Sequence, residues 1–198
     1  GTIAYADCLQ ALTEAINAIV NNPKAGAPTL GAIQSDITLN RTKQAGTLGG
    51  KVILASTSIK NEEFENARIA SPTIIEVGAK DMEIYKTEQF GPIAFVIKCK
   101  DIDECIALAK QMAIEHGAIT CLAFSNDEKV KENIATEMND AYTPVSFNFS
   151  GAAFVNQHAA FSDFHVTGGN PSGNASFTNP EYVTKRFTWV GHREPVNT

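Results

Sequence analysis

The sequence predicts an α/β fold, a three-layer sandwich in which helices cover both faces of a mostly parallel sheet, with a C-terminal arm. Two nearly apolar runs, Ile93–Cys99 and Ile119–Phe124, have the length and composition of strands that are covered on both faces. Amphipathic segments separate these runs from each other and from a third apolar run at Val145–Phe149. Along the chain, strands and helices alternate in the order strand–helix–strand–helix–strand, with short connections. This order indicates parallel strands joined by right-handed crossovers.

The first predicted element is an amphipathic helix over Ala4–Val20. Its apolar residues recur at helical spacing, and polar residues lie opposite them. Asn21-Asn22-Pro23 ends the pattern, because proline cannot continue a helix. We therefore expect a loop over Pro23–Pro28.

Weaker signals lead from this loop to the central stretch. A helix is predicted at Ser35–Gln44, and Gly49-Gly50 then turns the chain into a strand at Lys51–Ala55. A polar loop follows. The run Ile69–Val77 predicts another strand, with Ser71-Pro72 near its start, where proline does least damage.

Both central helices begin with the pattern of a capping box. Asp101 is followed by Glu104, and Ser125 is followed by Glu128, so that side chains can satisfy the free N–H groups of each first turn. The first helix ends at Gly117, as glycine commonly ends helices. After the second helix, strands are expected at Val145–Phe149 and Ala152–Asn156.

The charge and hydropathy of the chain exclude several classes of protein. The 198 residues contain 16 Lys and Arg against 22 Asp and Glu, a net charge of −6, and no basic run. This balance argues against a nucleic-acid partner, which would attract positive charge. No long apolar run or cationic leader predicts a membrane span or secretion, so we expect a soluble cytoplasmic protein.

Four cysteines lie within apolar or helical patterns, and no two of them form a C-x-x-C pair; they are Cys8, Cys99, Cys105 and Cys121. Buried free thiols are therefore expected rather than disulfides. Cys8 falls inside the first helix and is expected to be a core thiol, not a nucleophile. The four histidines show no ligand spacing with the cysteines, so no metal site is predicted.

The chain is organised around the turn Glu88-Gln89-Phe90-Gly91-Pro92. Glycine tolerates backbone angles that other residues avoid and proline fixes its own φ, so this pair predicts a rigid corner immediately before a strand. An acid and an aromatic ring on such a corner would suit a ligand. The alternative is an ordinary turn with a solvated Glu88 and a Phe90 in the core.

This corner and two segments before it resemble the C-terminal half of the aldehyde dehydrogenase catalytic domain in both sequence and spacing. The two segments are Ser71-Pro72-Thr73-Ile74-Ile75 and Met82-Glu83-Ile84. The resemblance extends from about Tyr5 to Asn156 and, more loosely, through the tail. The segment from Phe161 to Pro171 resembles the phenylacetic acid degradation (PaaN-type) branch of that family. The resemblance implies the family's catalytic-domain fold.

The resemblance also implies roles for four side chains. In the family, the Glu of this motif contacts the nicotinamide ribose of NAD or NADP, and the Phe lies beside the nicotinamide ring. These cofactor-binding roles would fall on Glu88 and Phe90. The family's substrate-entrance loop would place Phe161 and Phe164 at the aldehyde tunnel, although packing within the arm would explain both residues equally well. The insertion His165-Val166-Thr167 departs from the family pattern beside Phe164.

The reaction that the resemblance implies is oxidation of an aldehyde or semialdehyde to an acid, with a small-molecule aldehyde as substrate. A Cys thiolate attacks the carbonyl, hydride passes to NAD(P)+, and a Glu base assists hydrolysis of the thioester. In the family these two residues and the dinucleotide domain precede the helix that matches Ala4–Val20. Because the chain also begins at Gly1 rather than Met, we expect a fragment that is inactive alone, and we assign it no catalytic residue.

Two regions are expected, a catalytic-domain fragment over 1–156 and a substrate-loop and oligomerisation arm over 157–198. The arm is rich in Gly, Asn, Ser and Phe and has no helical period. Near its end, Arg186–Val190 alternates like a strand with Phe187 and Trp189 on one face. This segment resembles the family's oligomerisation strand, so a homo-oligomer is expected.

A different class of function remains open at this point. The chain could be a non-catalytic α/β scaffold or assembly module that keeps the fold of the family without its activity. Both interpretations preserve the core strands, so the core does not distinguish them.

Overall fold

The computed structural model describes residues 3–22, 24–118, 120–141, 143–149 and 192–195, and all structural statements below concern these residues. The chain divides into two compact units, residues 1–99 and residues 100–198. Each unit is described by itself.

The first unit contains four α-helices, one short 3-10 helix and five strands among its described residues. The helices are α1 (Tyr5–Val20), α2 (Gly26–Leu30), α3 (Asp36–Gln44) and α4 (Met82–Tyr85), and the 3-10 turn is Ala45–Thr47. The strands are β1 (Lys51–Leu54), β2 (Ser58–Ile59), β3 (Ile69–Ala70), β4 (Thr73–Gly78) and β5 (Ile93–Lys98).

Strand β4 is the centre of the first unit. It pairs in parallel with β5, in a register that runs from Thr73 opposite Ile93 to Gly78 opposite Lys98. On its other edge β1 pairs with it antiparallel. Ile74, Ile75 and Val77 are each at most 5% exposed. Because successive side chains of a strand point to opposite faces, both faces of β4 are covered at these residues. A separate antiparallel pair, β2 and β3, involves the segment just before β4.

The second unit alternates helices and parallel strands. Its described elements are α5 (Ile102–His116), β6 (Cys121–Ala123), α6 (Glu128–Asp140), β7 (Val145–Phe147) and β8 (His192–Arg193). Strand β7 lies between β6 and β8, and both pairings are parallel. The helices pack an apolar core against this sheet, formed by Ile106, Ile134, Met138, Val145 and Phe147.

Aspartates cap the helices of the second unit. Asp101 accepts a hydrogen bond from the backbone N–H of Glu104 at 2.8 Å, which confirms the first predicted cap. The second cap is Asp127, whose carboxylate accepts from Lys129 N and Val130 N. The prediction of a cap at Ser125 was therefore wrong, because the Ser125 hydroxyl accepts from Asp127 N instead.

The long helices and the parallel pairings β4–β5 and β6–β7 confirm the predicted α/β alternation. The expected loop at 23–28 contains the start of α2, and the expected strand at 69–77 is divided into β3 and β4. Strands β5 and β6 are only half-buried, so the prediction that both faces are covered was wrong for them. Apolar composition shows which residues prefer burial, but it does not specify what covers them.

The four cysteines form no disulfide bonds, as predicted, but they are not buried. Cys8 is exposed because α1 has no buried residue at all. Cys105 is exposed as well, since its neighbour Ile106 is the residue that points into the core. Cys99 and Cys121 are half-buried.

Several predictions lie outside the described residues. They concern the strand at Ala152–Asn156, the region boundary at residue 156, and the arm with Phe187 and Trp189. No helix in the described part of the chain is long and apolar enough to cross a membrane.

Candidate functional site: the Glu88–Pro92 corner

The corner from Glu88 to Pro92 connects α4 to β5 by a tight turn. Gly91 has φ of +143°, a backbone conformation that side-chain-bearing residues rarely adopt. The N–H of Ile93 donates to the carbonyl oxygen of Gly91 at 2.8 Å, which closes the turn at the first residue of β5. The predicted rigid corner is thus present, and its glycine is required by the backbone angle.

Helix α3 packs directly against Gly91. A Cβ atom on Gly91 would lie 3.0 Å from Thr42 Oγ1 and 3.1 Å from Thr38 Cγ2, closer than ordinary contact. Thr42 is completely buried at this contact. Glycine therefore allows the helix and the corner to approach more closely than any other residue would.

Two hydrogen bonds hold the backbone of the corner. Arg41 Nη1 of α3 donates to the carbonyl oxygen of Phe90 at 2.8 Å. The N–H of Thr73, at the start of β4, donates to the carbonyl oxygen of Pro92 at 2.9 Å. The turn is thus attached to a helix on one side and to the central strand on the other.

Glu88 and Phe90 both line one open hollow with a volume of about 520 Å³. The Phe90 side chain is not in the core, because the residue is 69% exposed. The Glu88 carboxylate is exposed and forms no hydrogen bond or ion pair with the described residues. The hollow is lined by Tyr85, Thr87, Glu88, Gln89, Phe90, Gly91, Ile93 and Phe95.

A second open hollow, with a volume of about 490 Å³, lies on the α3 side of the corner. Arg41, Asn40 and Gln44 contribute polar side chains to it, and Gln89 borders both hollows. Sequence patterns did not identify Arg41 as part of the site. It lies 49 residues before Phe90 in a helix of weak periodicity, so no local signal links the two.

Among the described residues, the Cys121 thiol is not activated as a nucleophile, and no cluster of metal ligands is present. Burial, and secondarily the nearby Cys105, raises the pKa of the Cys121 thiol, which disfavours its thiolate. No group of three His, Cys, Asp or Glu side chains in the described ranges is arranged to hold a metal ion. Phe161 and Phe164, the predicted substrate contacts, lie outside those ranges.

The fold and the corner define a protein of the α/β class in which an acidic and an aromatic residue share a tight turn at the start of a parallel strand. The model of the aldehyde dehydrogenase family matches residues 3–188, nearly the whole chain. The chain belongs to the aldehyde dehydrogenase family, as the motif predicted.

Solved structures confirm the fold. The chain is 34% identical to an NAD-dependent aldehyde dehydrogenase from Burkholderia multivorans, with a TM-score of 0.76 over 95% of this chain and 34% of that one. A putative methylmalonate-semialdehyde dehydrogenase from Sinorhizobium meliloti, complexed with NAD, gives 21% identity and a TM-score of 0.51 over 67% of this chain and 27% of that one. This second likeness supports the fold alone.

Curated relatives include semialdehyde dehydrogenases. A malonate-semialdehyde dehydrogenase of Bacillus cereus is 25% identical over 144 residues, which cover 72% of this chain. A probable methylmalonate-semialdehyde/malonate-semialdehyde dehydrogenase of Aedes aegypti is 26% identical over 160 residues, or 77% of this chain. The matched segment spans 29% of the length of each relative.

Proposed function

We propose that this chain forms the C-terminal part of the catalytic domain of an NAD(P)-dependent aldehyde dehydrogenase, which oxidises an aldehyde or semialdehyde to an acid. The observation that carries the proposal is the convergence of Glu88 and Phe90 on one hollow, in a chain whose family is established. The nucleophilic Cys, the Glu base and the dinucleotide domain would come from sequence outside these 198 residues. The chain's match to 34% of the Burkholderia enzyme is consistent with this division.

The exposed groups of the corner fit a nicotinamide nucleotide. The Glu88 carboxylate has no partner among the described residues, so both of its oxygens can accept hydrogen bonds from ribose hydroxyls. Hydrogen bonds to a charged group typically contribute about 1.5–3 kcal/mol each. The exposed Phe90 ring offers a flat apolar surface for the nicotinamide ring. The cofactor named for the Burkholderia relative favours NAD over NADP.

The contribution of this chain to the reaction would be to orient reactants. Bound nicotinamide supplies the oxidant for the two-electron oxidation of the aldehyde. Glu88 would fix the ribose, and Phe90 would cover one side of the ring and keep water from it. Positioning of this kind accelerates a reaction because the reacting groups meet in a productive geometry.

The substrate is proposed to be a semialdehyde, supported by the names of the curated relatives. The resemblance of the tail to the phenylacetate branch favours a semialdehyde that arises in aromatic catabolism. Phe161 and Phe164 would then contact the aldehyde. We also propose a cytoplasmic homo-oligomer that assembles through the Arg186–Val190 segment.

The test uses the complete polypeptide that contains these residues. It is incubated with NAD or NADP and with malonate semialdehyde, methylmalonate semialdehyde or a semialdehyde from aromatic ring cleavage. Formation of reduced nicotinamide, detected by its absorbance, is the expected result. If none of these aldehydes is oxidised and neither nucleotide binds by calorimetric titration, the scaffold or assembly function replaces this proposal.

A further inference from the structure

We propose that Arg41 is a positioning residue, through which helix α3 holds the Glu88–Phe90 corner in its ligand-binding geometry. The inference rests on the proposed function, because it concerns the same corner and the same ligand. It assigns a role to a side chain that the sequence motif does not include.

The direct contact is a hydrogen bond to the main chain. Arg41 Nη1 lies 2.8 Å from the carbonyl oxygen of Phe90, which is one of the residues that line the hollow. A guanidinium remains charged at all ordinary pH values, so this bond is charge-assisted and stronger than a neutral one. The bond restrains the peptide group between Phe90 and Gly91.

Next to this bond, Gly91 lies directly against helix α3. Gly91 lies where a Cβ atom would be 3.0 Å from Thr42 Oγ1, so the two segments are in close contact. Thr42 is fully buried, and its own hydroxyl donates to the carbonyl oxygen of Thr38 within α3. The surface that receives the corner is therefore a fixed part of the helix.

Thr73 connects the helix and the corner through the central strand. Its hydroxyl donates to the carbonyl oxygen of Thr42 at 2.9 Å, and its N–H donates to the carbonyl oxygen of Pro92 at 2.9 Å. Thr73 is only 2% exposed, so water competes little for either bond. Helix α3, the start of β4 and the corner thus form a closed circuit of hydrogen bonds, which Arg41 completes.

The ligand-facing groups depend on this circuit. Glu88 is exposed and has no partner in the described part of the chain, and Phe90 is 69% exposed. Neither side chain is held by packing, so their positions are set mainly by the backbone that carries them. Removal of the Arg41 bond would let the Phe90 peptide move, and misplacement by about 1 Å can reduce catalysis substantially.

The variants are Arg41→Met, which keeps an unbranched apolar stem but removes the donors, and Arg41→Lys, which keeps a charged donor. Lys43→Met is the matched control, since it removes a cation from the same helix at an exposed position. All variants are made in the complete polypeptide, and circular dichroism verifies that they fold. Hydrogen exchange of the Thr73 and Ile93 amides, which donate to the carbonyl oxygens of Pro92 and Gly91, is measured without nucleotide. The NAD dissociation constant is measured by titration.

Arg41→Met is expected to accelerate exchange at the Thr73 and Ile93 amides and to weaken NAD binding about tenfold. The exchange rates and the NAD affinity of Arg41→Lys should lie between those of Arg41→Met and wild type. Lys43→Met should change neither measurement. In a Glu88→Gln background, Arg41→Met should cost much less affinity than in wild type, because a positioning residue acts through the group that it positions.

Two results would overturn the inference. One is unchanged exchange of the Thr73 and Ile93 amides in Arg41→Met. The other is a loss of affinity that is fully additive with Glu88→Gln, which would indicate that Arg41 contacts the nucleotide itself. Failure of the wild-type protein to bind either nucleotide would instead overturn the proposed function, while the exchange experiment would still decide whether Arg41 holds the corner.

Discussion

Lys131 and Glu194 form an ion pair with an Nζ–Oε1 distance of 2.8 Å, although they are 63 residues apart in the chain. Lys131 belongs to α6 and is only 8% exposed, and its ammonium also lies 2.7 Å from Glu128. Asn148 Nδ2 donates to the same Glu194 oxygen at 3.0 Å. Since Glu194 directly follows β8, this network attaches the last described strand to α6 and to the end of β7.

The network predicts that β8 is released in acid. The ammonium of Lys131, with smaller contributions from Asn148 and His192, holds the pKa of Glu194 below its usual value. Its stabilising effect is therefore complete above the unfolded pKa, near 4.5, and is lost as the pH falls through the lower folded pKa. Glu128 and Glu194 raise the pKa of Lys131 above its usual value of 10.5. At alkaline pH, the stabilisation by this ion pair is therefore lost only as the pH rises above 10.5 and through the higher folded pKa.

Hydrogen-exchange protection of the His192 and Arg193 amides, corrected for intrinsic rates, measures this release. In wild type, protection should fall as the pH drops below the usual pKa of a glutamate. Glu194→Gln should weaken protection at neutral pH and remove most of its acid dependence. Glu132→Gln is the control, because Glu132 is exposed on α6, the helix that carries Lys131. An unaltered acid profile in Glu194→Gln would contradict the prediction.

Gly91→Ala is predicted to destabilise the first unit through both strain and contact. Its φ of +143° is unfavourable for alanine, and the new methyl group would meet Thr42 at 3.0 Å. Gly31→Ala is the matched control, because Gly31 has φ of +67° but a methyl group added there would enter open space.

In urea unfolding, Gly31→Ala should lower the free energy of unfolding by about 1 kcal/mol from strain alone. Gly91→Ala should lower it by about 1–3 kcal/mol more than Gly31→Ala does. Equal losses for the two variants would mean that the contact between α3 and the corner adds nothing.

Asp127→Ala is predicted to cost more stability than Ser125→Ala. The Asp127 carboxylate accepts two N–H groups of the first turn of α6, whereas Ser125 binds only outside the helix. Loss of an N-cap typically costs about 0.5–2 kcal/mol. Chemical denaturation of the two variants measures the difference, and a larger effect of Ser125→Ala would reverse the assignment.

Local patterns in the sequence predicted much of the fold. The helices at Tyr5–Val20, Asp36–Gln44, Ile102–His116 and Glu128–Asp140 follow from apolar spacing, caps and glycine stops, because helices are built from contacts between near neighbours. The short elements α2, α4, β2 and β8 were missed, since two to five residues carry too little pattern. Strands β2 and β8 also pair with segments elsewhere in the chain, which a local pattern does not reveal.

Part of the candidate site could be predicted because its sequence signal is also local. The Gly-Pro pair identified Glu88 and Phe90 because a turn is encoded by adjacent residues. The bonds from Arg41 to Phe90 and from Lys131 to Glu194 join residues 49 and 63 positions apart, so no periodicity reveals them. The exposure of the Phe90 ring was also not evident, because an aromatic residue before an apolar run is equally compatible with a core position.

NAD binding and turnover by Glu88→Gln in the complete polypeptide test the role of the corner most directly. This change keeps the size of the side chain but removes its charge, and Glu65→Gln is the control at an exposed position outside the hollow. We expect Glu88→Gln to weaken NAD binding about tenfold or more and to slow formation of reduced nicotinamide, while Glu65→Gln behaves as wild type. Unchanged NAD affinity and turnover in Glu88→Gln would show that the corner does not bind the cofactor.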